Sequence, residues 1–313
     1  IKCYIQIIKR ISYKPMNIED DKVQESNWIP NQEMSYFLDS QYHRWHIQFR
    51  EAKQGGKAKK TLLFIHGLGS STITWRDILP LFSDYRVVAL DLPGHGFTKL
   101  KTSHRSSLTK ITTDIGEMLS SEKITPDGII GHSSGAAIAL KLASLFKKDT
   151  KFVASINGSF ENFIGLAGIF FPIFAKLLAV TPFSGQLFSN INKRKTQVKK
   201  LLEMTGSQLD KVGTDLYSKL ISDPKHVSGT IDMMAQWNHE DLLPHLDDFS
   251  VPCLFITGDN DKIVHPDVSE RMSKKIKGSS RINLIGLGHL MHEENPKKIF
   301  EILENFSISG FTR

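Results

Sequence analysis

A serine lies at the centre of a G-x-S-x-G pentapeptide, with Ser133 between Gly131 and Gly135. An apolar run precedes it and an alanine-rich segment with helical character follows, so the pattern predicts a strand that turns sharply into a helix. Small residues are needed there because a Cβ would contact the neighbouring backbone. The turn would expose the Ser133 hydroxyl and place the Ser134 N–H at a helix N-terminus, where it can stabilise negative charge. The pattern therefore predicts a serine nucleophile and half of an oxyanion hole.

A serine hydroxyl becomes a useful nucleophile only when a base lies within hydrogen-bonding distance and a third group orients that base. In a mostly parallel sheet these groups should follow strand ends in the order serine, acid, histidine. Asp259 and Asp261 follow one predicted strand, and His289 follows the last one. The order predicts that His289 takes the proton of Ser133 while one aspartate orients the imidazole. His292 is the competing histidine, and its charged neighbours predict that it points into solvent.

The second oxyanion donor is expected in the loop after the predicted strand 61–66, where glycines flank Leu68 on both sides. Glycine allows backbone to approach a developing negative charge, so the N–H groups of Leu68 and Ser134 are predicted to act together. The loop lacks the G-x-x-x-x-G-K-[ST] pattern of a phosphate-binding loop, and the histidines do not show the H-E-x-x-H spacing of a metal site. We therefore predict no metal and no cofactor.

The overall composition of the 313 residues, 40% hydrophobic and 23% charged, is that of an ordinary globular protein. Residues 1–15 carry four of the positive charges behind the net charge of +7, and we interpret them as a tail outside the fold that need not be native. A basic cluster at 193–200 predicts a solvated helix face, with peripheral contact to an anionic membrane as the alternative. No nucleic-acid-binding motif is present, so no nucleic acid is expected. Cys3 and Cys253 lie in unrelated settings, which predicts a cytoplasmic protein without disulfides.

Apolar runs alternate with helical patterns along most of the chain, which predicts an α/β fold. We predict strands at 34–39, 44–50, 61–66, 85–90, 127–131, 152–157, 251–257 and 281–285, and helices that include 108–119 and 136–146. The first two strands should form an antiparallel pair. Strand–helix alternation then implies an eight-stranded, mostly parallel sheet with helices on both faces.

The segment 161–247 breaks this alternation, because it contains helical patterns and no convincing strand. We predict a helical lid there, inserted into a core made of residues 16–160 and 248–313. The apolar run 164–180 is at the lower limit for a membrane span and contains a proline and a lysine, so we interpret it as short lid helices. Their apolar sides would roof a substrate pocket. Its predicted lining is Phe170, Phe171, Phe174, Trp237 and His66.

These motifs resemble the α/β-hydrolase superfamily in their order, and the resemblance covers residues 34–305. Within it, the chain is most similar to the magnesium-chelatase accessory hydrolases of bacteriochlorophyll synthesis, on the residues at 28–33, 131–140, 205–210, 233–237 and 286–290. The resemblance implies the α/β-hydrolase fold and Ser–Asp–His roles. The family places its acid in a D-x-x-V-P pattern, which favours Asp261 over Asp259, although His265 stands where the pattern has proline.

Three functions are compatible with these residues. The leading hypothesis is a carboxylesterase-like serine hydrolase that cleaves an ester-like bond of an apolar small molecule through an acyl-enzyme. Ser133 argues against epoxide hydrolase or haloalkane dehalogenase chemistry, because those relatives carry aspartate at this position. The alternative from a different class is a magnesium-chelatase accessory or tetrapyrrole-binding protein with little or no hydrolysis. Carbon–carbon bond hydrolysis on the same three residues is the further alternative.

Overall fold

The computed structural model describes residues 14–15, 28–53, 60–160, 191–238, 242, 246 and 249–311, and these are the described residues below. Residues 161–190, with Phe170, Phe171 and Phe174, lie outside them, as does most of the tail 1–15.

One ten-stranded sheet forms the centre of the molecule. The strands are β1 (Lys14–Pro15), β2 (Ser35–Asp39), β3 (His43–Arg50), β4 (Thr61–Ile65), β5 (Arg86–Leu90), β6 (Lys99–Leu100), β7 (Gly128–His132), β8 (Phe152–Ile156), β9 (Cys253–Gly258) and β10 (Ser280–Leu284). Their order is β1-β2-β3-β5-β4-β7-β8-β9-β10, and β6 pairs with β3. All eight predicted strands are present. The two additional strands have two residues each, too short to show a periodic pattern. One of them, β1, belongs to the tail 1–15, so the expectation that this tail lies outside the fold is wrong for Lys14 and Pro15, which pair with β2.

The sheet is parallel from β5 through β4, β7, β8 and β9 to β10, while β1, β2 and β3 are antiparallel additions and β6 pairs antiparallel with β3. Every residue of β4, β7, β8 and β9 is buried, as expected for strands covered on both faces. The carboxyl ends of parallel strands meet at one edge of a sheet, and the segments that carry the predicted site leave β4, β7, β9 and β10 at that edge.

The helices are α1 (Leu108–Ser121), α2 (Ser134–Leu145), α3 (Ile191–Glu203), α4 (Lys211–Ser222), α5 (Pro224–Gln236), α6 (Pro266–Lys275), α7 (Met291–Glu294) and α8 (Pro296–Phe311). Short 3-10 helices span Gln32–Met34, Thr72–Trp75 and Leu79–Leu81. We call α3, α4 and α5 the insert helices, because they lie between β8 and β9 in the chain. No helix among the described residues combines the length and apolar character needed to cross a membrane.

Two apolar clusters cover the two faces of the sheet. Alternate strand residues such as Leu63 and Ile129 pack with α1, α2 and α6, while their neighbours Leu62 and Ile130 pack with α8. A third cluster joins α3 and α4 of the insert to Ile73 and Leu290 of the core. The expected α/β architecture with helices on both faces is therefore confirmed, and the insert helices are packed directly against the core.

Candidate active site

Ser133 occupies a sharp turn between β7 and α2, with φ 53° and ψ −122°. A non-glycine residue in such a conformation costs about 1–3 kcal/mol, so the surrounding structure must enforce it. The glycines on either side make the turn possible. A Cβ on Gly131 would lie 2.3 Å from the Gly135 carbonyl oxygen, and a Cβ on Gly135 would lie 2.3 Å from the Ile65 carbonyl oxygen. The predicted elbow is therefore present, with its backbone locked against β4.

The structure brings Asp261 to His289. The Asp261 Oδ2 atom lies 2.8 Å from His289 Nδ1, while Oδ1 accepts the backbone N–H groups of Ile263 at 2.8 Å and Val264 at 2.9 Å. Asp261 and His289 are each 7% exposed. Asp259 is exposed and accepts a backbone N–H from the turn after β10. Of the two candidate acids, the one that contacts the imidazole is Asp261.

The backbone that carries His289 is fastened to the elbow and to β9. His132, adjacent to Ser133, donates its Nε2 proton to the His289 carbonyl oxygen at 2.9 Å. The Asn157 amide donates to the carbonyl oxygens of Gly288 at 2.9 Å and His289 at 3.0 Å, and it accepts the Gly258 N–H at 2.9 Å. Asn157 has a positive φ of 46° directly after β8. Sequence reasoning missed this residue, and the only local signal was an asparagine at a strand end, where a left-handed conformation is tolerated.

Ser133 itself is held through its backbone. Its N–H donates to the Ile156 carbonyl oxygen at 3.0 Å, and its carbonyl oxygen accepts from Ser159 at 3.0 Å and Ala136 at 3.0 Å. The side chain is 5% exposed. These bonds fix the Cα position and leave χ1 as the remaining freedom of the hydroxyl.

The two predicted oxyanion donors lie side by side. The Leu68 N–H donates to the Ser134 hydroxyl oxygen at 2.9 Å, and Ser134 is fully buried. A Cβ on Gly67 would lie 2.8 Å from the Ser133 Cβ, so only glycine lets this loop approach the elbow. The structure thus brings Leu68 and Ser134 together next to Ser133, with the Leu68 N–H occupied by a hydroxyl.

His66 supports this loop from within the core. Its ring is fully buried, Nδ1 donates to the Gly67 carbonyl oxygen at 2.7 Å and Nε2 accepts the Leu92 N–H at 2.9 Å. Burial, with a smaller effect of the neighbouring His95, lowers the pKa of His66 to about 3. The ring is therefore neutral and engaged on both sides by backbone. Trp237 is also buried and packs in the larger core cluster.

The prediction that His292 points into solvent is wrong. His292 is fully buried, with Nε2 2.6 Å from Thr74 Oγ1 and its ring 4.4 Å from the His132 ring and 4.7 Å from the Trp75 ring. Burial lowers the pKa of both His292 and His132 well below the usual range of histidine. The charged neighbours of His292 in the sequence misled the prediction, because the adjacent Glu293 is buried as well.

The adjacent Glu293 joins the core to the insert. Its carboxylate binds the Arg76 guanidinium and accepts hydroxyl protons from Thr74 at 2.6 Å and from Tyr217 of α4 at 2.8 Å. The Tyr217 hydroxyl also lies 3.0 Å from the hydroxyl of Ser70, in the loop that follows Leu68. Burial raises the pKa of Glu293, although Arg76 opposes this, and it raises the pKa of Tyr217 well above the usual range.

A histidine makes the second link between insert and core. His226 of α5 accepts the Gly96 N–H at 3.0 Å and donates to the Gly69 carbonyl oxygen at 3.2 Å. Burial lowers its pKa to about 4, so the ring is neutral. Three residues further on, a Cβ on Gly229 would lie 2.1 Å from the Gly94 carbonyl oxygen, so α5 lies against the core loop backbone to backbone. Among the described residues, no group of three or more His, Cys, Asp or Glu side chains is arranged to hold a metal ion.

Comparison with known proteins identifies relatives of this chain. The family model for the alpha/beta hydrolase fold matches residues 60–296. The magnesium-chelatase 30 kDa subunit of Rhodobacter capsulatus is 36% identical over 233 residues, which cover 74% of this chain and 81% of that protein. Epoxide hydrolase 4 of Homo sapiens is 26% identical over 280 residues, covering 83% and 75%. The structure of a carboxylesterase from Bacillus subtilis superposes with a TM-score of 0.69 over 98% of both chains at 13% identity, a likeness of fold.

Proposed function

This chain belongs to the α/β-hydrolase family, and we propose that it is a serine hydrolase that cleaves an ester-like bond of an apolar small molecule. The observation that carries the proposal is the 2.8 Å contact between Asp261 and His289, at the sheet edge where Ser133 occupies its elbow. The nucleophile then follows β7, the orienting acid follows β9 and the base follows β10. A serine at the elbow favours acyl transfer over the epoxide chemistry named in one relative.

In the first half-reaction, Ser133 Oγ attacks the carbonyl carbon while His289 Nε2 takes the hydroxyl proton. The resulting tetrahedral intermediate collapses when its bond to the leaving oxygen breaks, and that oxygen takes the proton from His289. The acyl group remains on Ser133. Water then attacks the acyl-enzyme with His289 again as base, and the acid product leaves when the proton returns to Ser133.

The contact with Asp261 sets the tautomer of His289. A carboxylate at Nδ1 keeps the proton on that nitrogen, so Nε2 presents a lone pair toward Ser133. The N–H groups of Ile263 and Val264 hold the other carboxylate oxygen, so the carboxylate cannot rotate away. In the free protein the catalytic hydrogen bond between hydroxyl and imidazole is often long, and it shortens when substrate binds.

The oxyanion of the intermediate would be stabilised by the N–H groups of Leu68 and Ser134. Each such donor contributes about 2.7–4 kcal/mol in comparable sites. In the free protein the Leu68 N–H is satisfied by the Ser134 hydroxyl. Substrate must therefore displace that hydroxyl from the N–H, and the exchange replaces a neutral acceptor with a charged one, which is the stronger hydrogen bond.

Labelling with a fluorophosphonate probe tests the proposal, because an activated serine displaces fluoride from the probe and becomes phosphonylated. We expect wild-type protein to be labelled, and Ser133→Ala and His289→Ala to be unlabelled. Asp259→Asn is a matched control with the predicted site intact. Folded wild-type protein that resists the probe, or labelling that survives Ser133→Ala, would contradict the proposal.

A second candidate function rests on the 36% identity with the magnesium-chelatase subunit of Rhodobacter capsulatus. This chain would then hold a tetrapyrrole beneath the predicted lid 161–247 and assist a chelatase, with little or no hydrolysis. Porphyrin fluorescence distinguishes the two candidates. If the Ser133→Ala variant quenches porphyrin fluorescence and the wild-type protein is not labelled by the fluorophosphonate, the binding role is favoured. If Ser133 is labelled and no quenching occurs, the hydrolase is favoured.

A further inference from the structure

A segment of the insert, residues 205–210, contacts both loops that carry the proposed acid and base. The Thr205 carbonyl oxygen accepts the N–H groups of Lys262 at 3.2 Å and His289 at 3.3 Å. The next carbonyl oxygen, that of Gly206, accepts the side-chain amide of Asn260 at 2.6 Å. Two consecutive residues of the insert thereby join the loop of Asp261 to the loop of His289.

Glycines bring these three stretches of backbone into direct contact. Gly206 has φ +87°, and a Cβ there would lie 1.8 Å from the Asn260 carbonyl oxygen. A Cβ on Gly288 would lie 2.3 Å from the Gly206 carbonyl carbon. Backbone cannot yield as a flexible side chain would, so the insert segment fixes the position of the residue directly before His289.

Glu294 and Ser207 complete the attachment. Glu294 Oε2 accepts the Ser207 hydroxyl at 3.0 Å and the Gly288 N–H at 2.8 Å, and Oε1 accepts the Gln208 N–H at 3.0 Å. The buried Ser207 hydroxyl oxygen in turn accepts the Leu290 N–H at 2.8 Å. The Leu290 side chain packs in the apolar cluster of the insert helices.

The N–H groups of three consecutive residues are thus all held. Gly288 donates to Glu294, His289 donates to Thr205, and Leu290 donates to Ser207. From the other side, the carbonyl oxygens of Gly288 and His289 are held by the core. These five backbone groups around the imidazole therefore all have partners, and three of the five depend on the insert segment or on the carboxylate that binds it.

We propose that Glu294 and Ser207 are positioning residues that hold His289 in line with Ser133, so that the insert contributes to catalysis. The proposal rests on the proposed serine hydrolase function. Neither side chain needs to touch substrate. Each acts through the backbone of the loop that carries the base, and because they also share one hydrogen bond their effects should be coupled.

The test measures kcat and KM for 4-nitrophenyl butyrate in Glu294→Gln, Ser207→Ala and the double variant. Matched controls are Glu301→Gln, an exposed carboxylate on α8, and Ser218→Ala, a buried hydroxyl that bonds only within α4. Hydrogen–deuterium exchange of the loop around His289 and thermal unfolding are measured on the same proteins. A misplacement of about 1 Å can cost roughly 100-fold in rate, so we expect kcat to fall about 10- to 100-fold with KM nearly unchanged.

We expect faster exchange in the His289 loop of both single variants, with unchanged exchange and kcat in the controls. The double variant should lose less than the product of the two single losses, because the two residues share one hydrogen bond. An active wild type with unchanged kcat in both Glu294→Gln and Ser207→Ala overturns the positioning role and leaves the serine hydrolase proposal standing. If Glu294→Gln does not fold, Ser207→Ala decides by the same criteria. A wild type that is neither labelled by the fluorophosphonate nor active overturns both proposals.

Discussion

Replacing Asp261 by asparagine is expected to remove nearly all activity while leaving the fold intact. The two backbone N–H groups that bind Asp261 Oδ1, from Ile263 and Val264, would select the orientation of the new amide. Its oxygen must face these donors, because its NH₂ group cannot accept them. The NH₂ group is then directed at His289 Nδ1, where the carboxylate oxygen lies 2.8 Å away in the native protein.

The consequence is the wrong tautomer of the base. An amide N–H at Nδ1 requires a lone pair there, so the ring proton moves to Nε2 and His289 cannot accept a proton from Ser133. The equivalent change in a serine protease, which is a known reference case for this effect, lowers kcat by about 10⁴. That factor corresponds to about 5.5 kcal/mol in the barrier, since each tenfold change is about 1.4 kcal/mol. We expect a loss of the same order here.

The measurement compares kcat for 4-nitrophenyl butyrate and the fluorophosphonate labelling rate in wild type, Asp261→Asn and Asp259→Asn. The second variant is the matched control, because Asp259 is exposed and bonds only the turn after β10. It should keep activity within about threefold, since the Asp259 carboxylate bonds the Gly286 N–H and not the imidazole. Activity of Asp261→Asn within tenfold of wild type, or a larger loss in Asp259→Asn, would refute the reasoning.

Gly135→Ala should lower the unfolding free energy by about 3 kcal/mol or more, because its Cβ would overlap a β4 carbonyl oxygen at 2.3 Å. The control is Gly116→Ala, whose Cβ would meet only flexible leucine side chains, and equal urea midpoints for the two variants would contradict the prediction. The pKa of His226 is lowered to about 4, so the unfolded chain binds its proton first as pH falls. The contribution of His226 to the free energy of unfolding is therefore fully present above about pH 6.5. It decreases toward pH 4 by up to about 1.4 kcal/mol per pH unit. In urea unfolding at several pH values, the free energy of unfolding should decrease less steeply with falling pH in His226→Gln than in wild type. An unchanged slope would contradict the assignment of this pH dependence to His226. Ser134→Ala should raise the rate of fluorophosphonate labelling about two- to tenfold, since it frees the Leu68 N–H from a hydrogen bond whose net contribution is about 0.5–1.5 kcal/mol. Slower labelling would show instead that the Ser134 hydroxyl helps to stabilise the oxyanion.

The sequence predicted the elements of the sheet and the elbow because these follow from local rules. Fully buried parallel strands need continuous apolar runs, and all eight predicted strands are present within two residues of their expected ends. The strained turn at Ser133 needs glycine at 131 and 135 whatever the rest of the chain does. Chain order alone also predicted that the ends of β7, β9 and β10 would meet, because parallel strands share one carboxyl edge.

Tertiary structure decided which side chains meet at that edge. Asp259 and Asp261 are two residues apart in one loop, and the N–H groups of Ile263 and Val264 direct the second of them to the imidazole. His292 was predicted to face solvent, but it packs against Thr74, 218 positions away in the sequence.

The parts that Asn157, Ser207 and Glu294 play in the site could not be assigned from the sequence, because each acts through partners far away in the chain. The Asn157 amide bonds His289 across 132 positions, and Ser207 bonds Glu294 across 87. Sequence periodicity and motifs report the conformation of a residue and its near neighbours, whereas these contacts exist only after the sheet, the insert and the histidine loop have packed together. The types of the reacting groups were therefore readable from the sequence, and the backbone contacts that aim them were set by the fold.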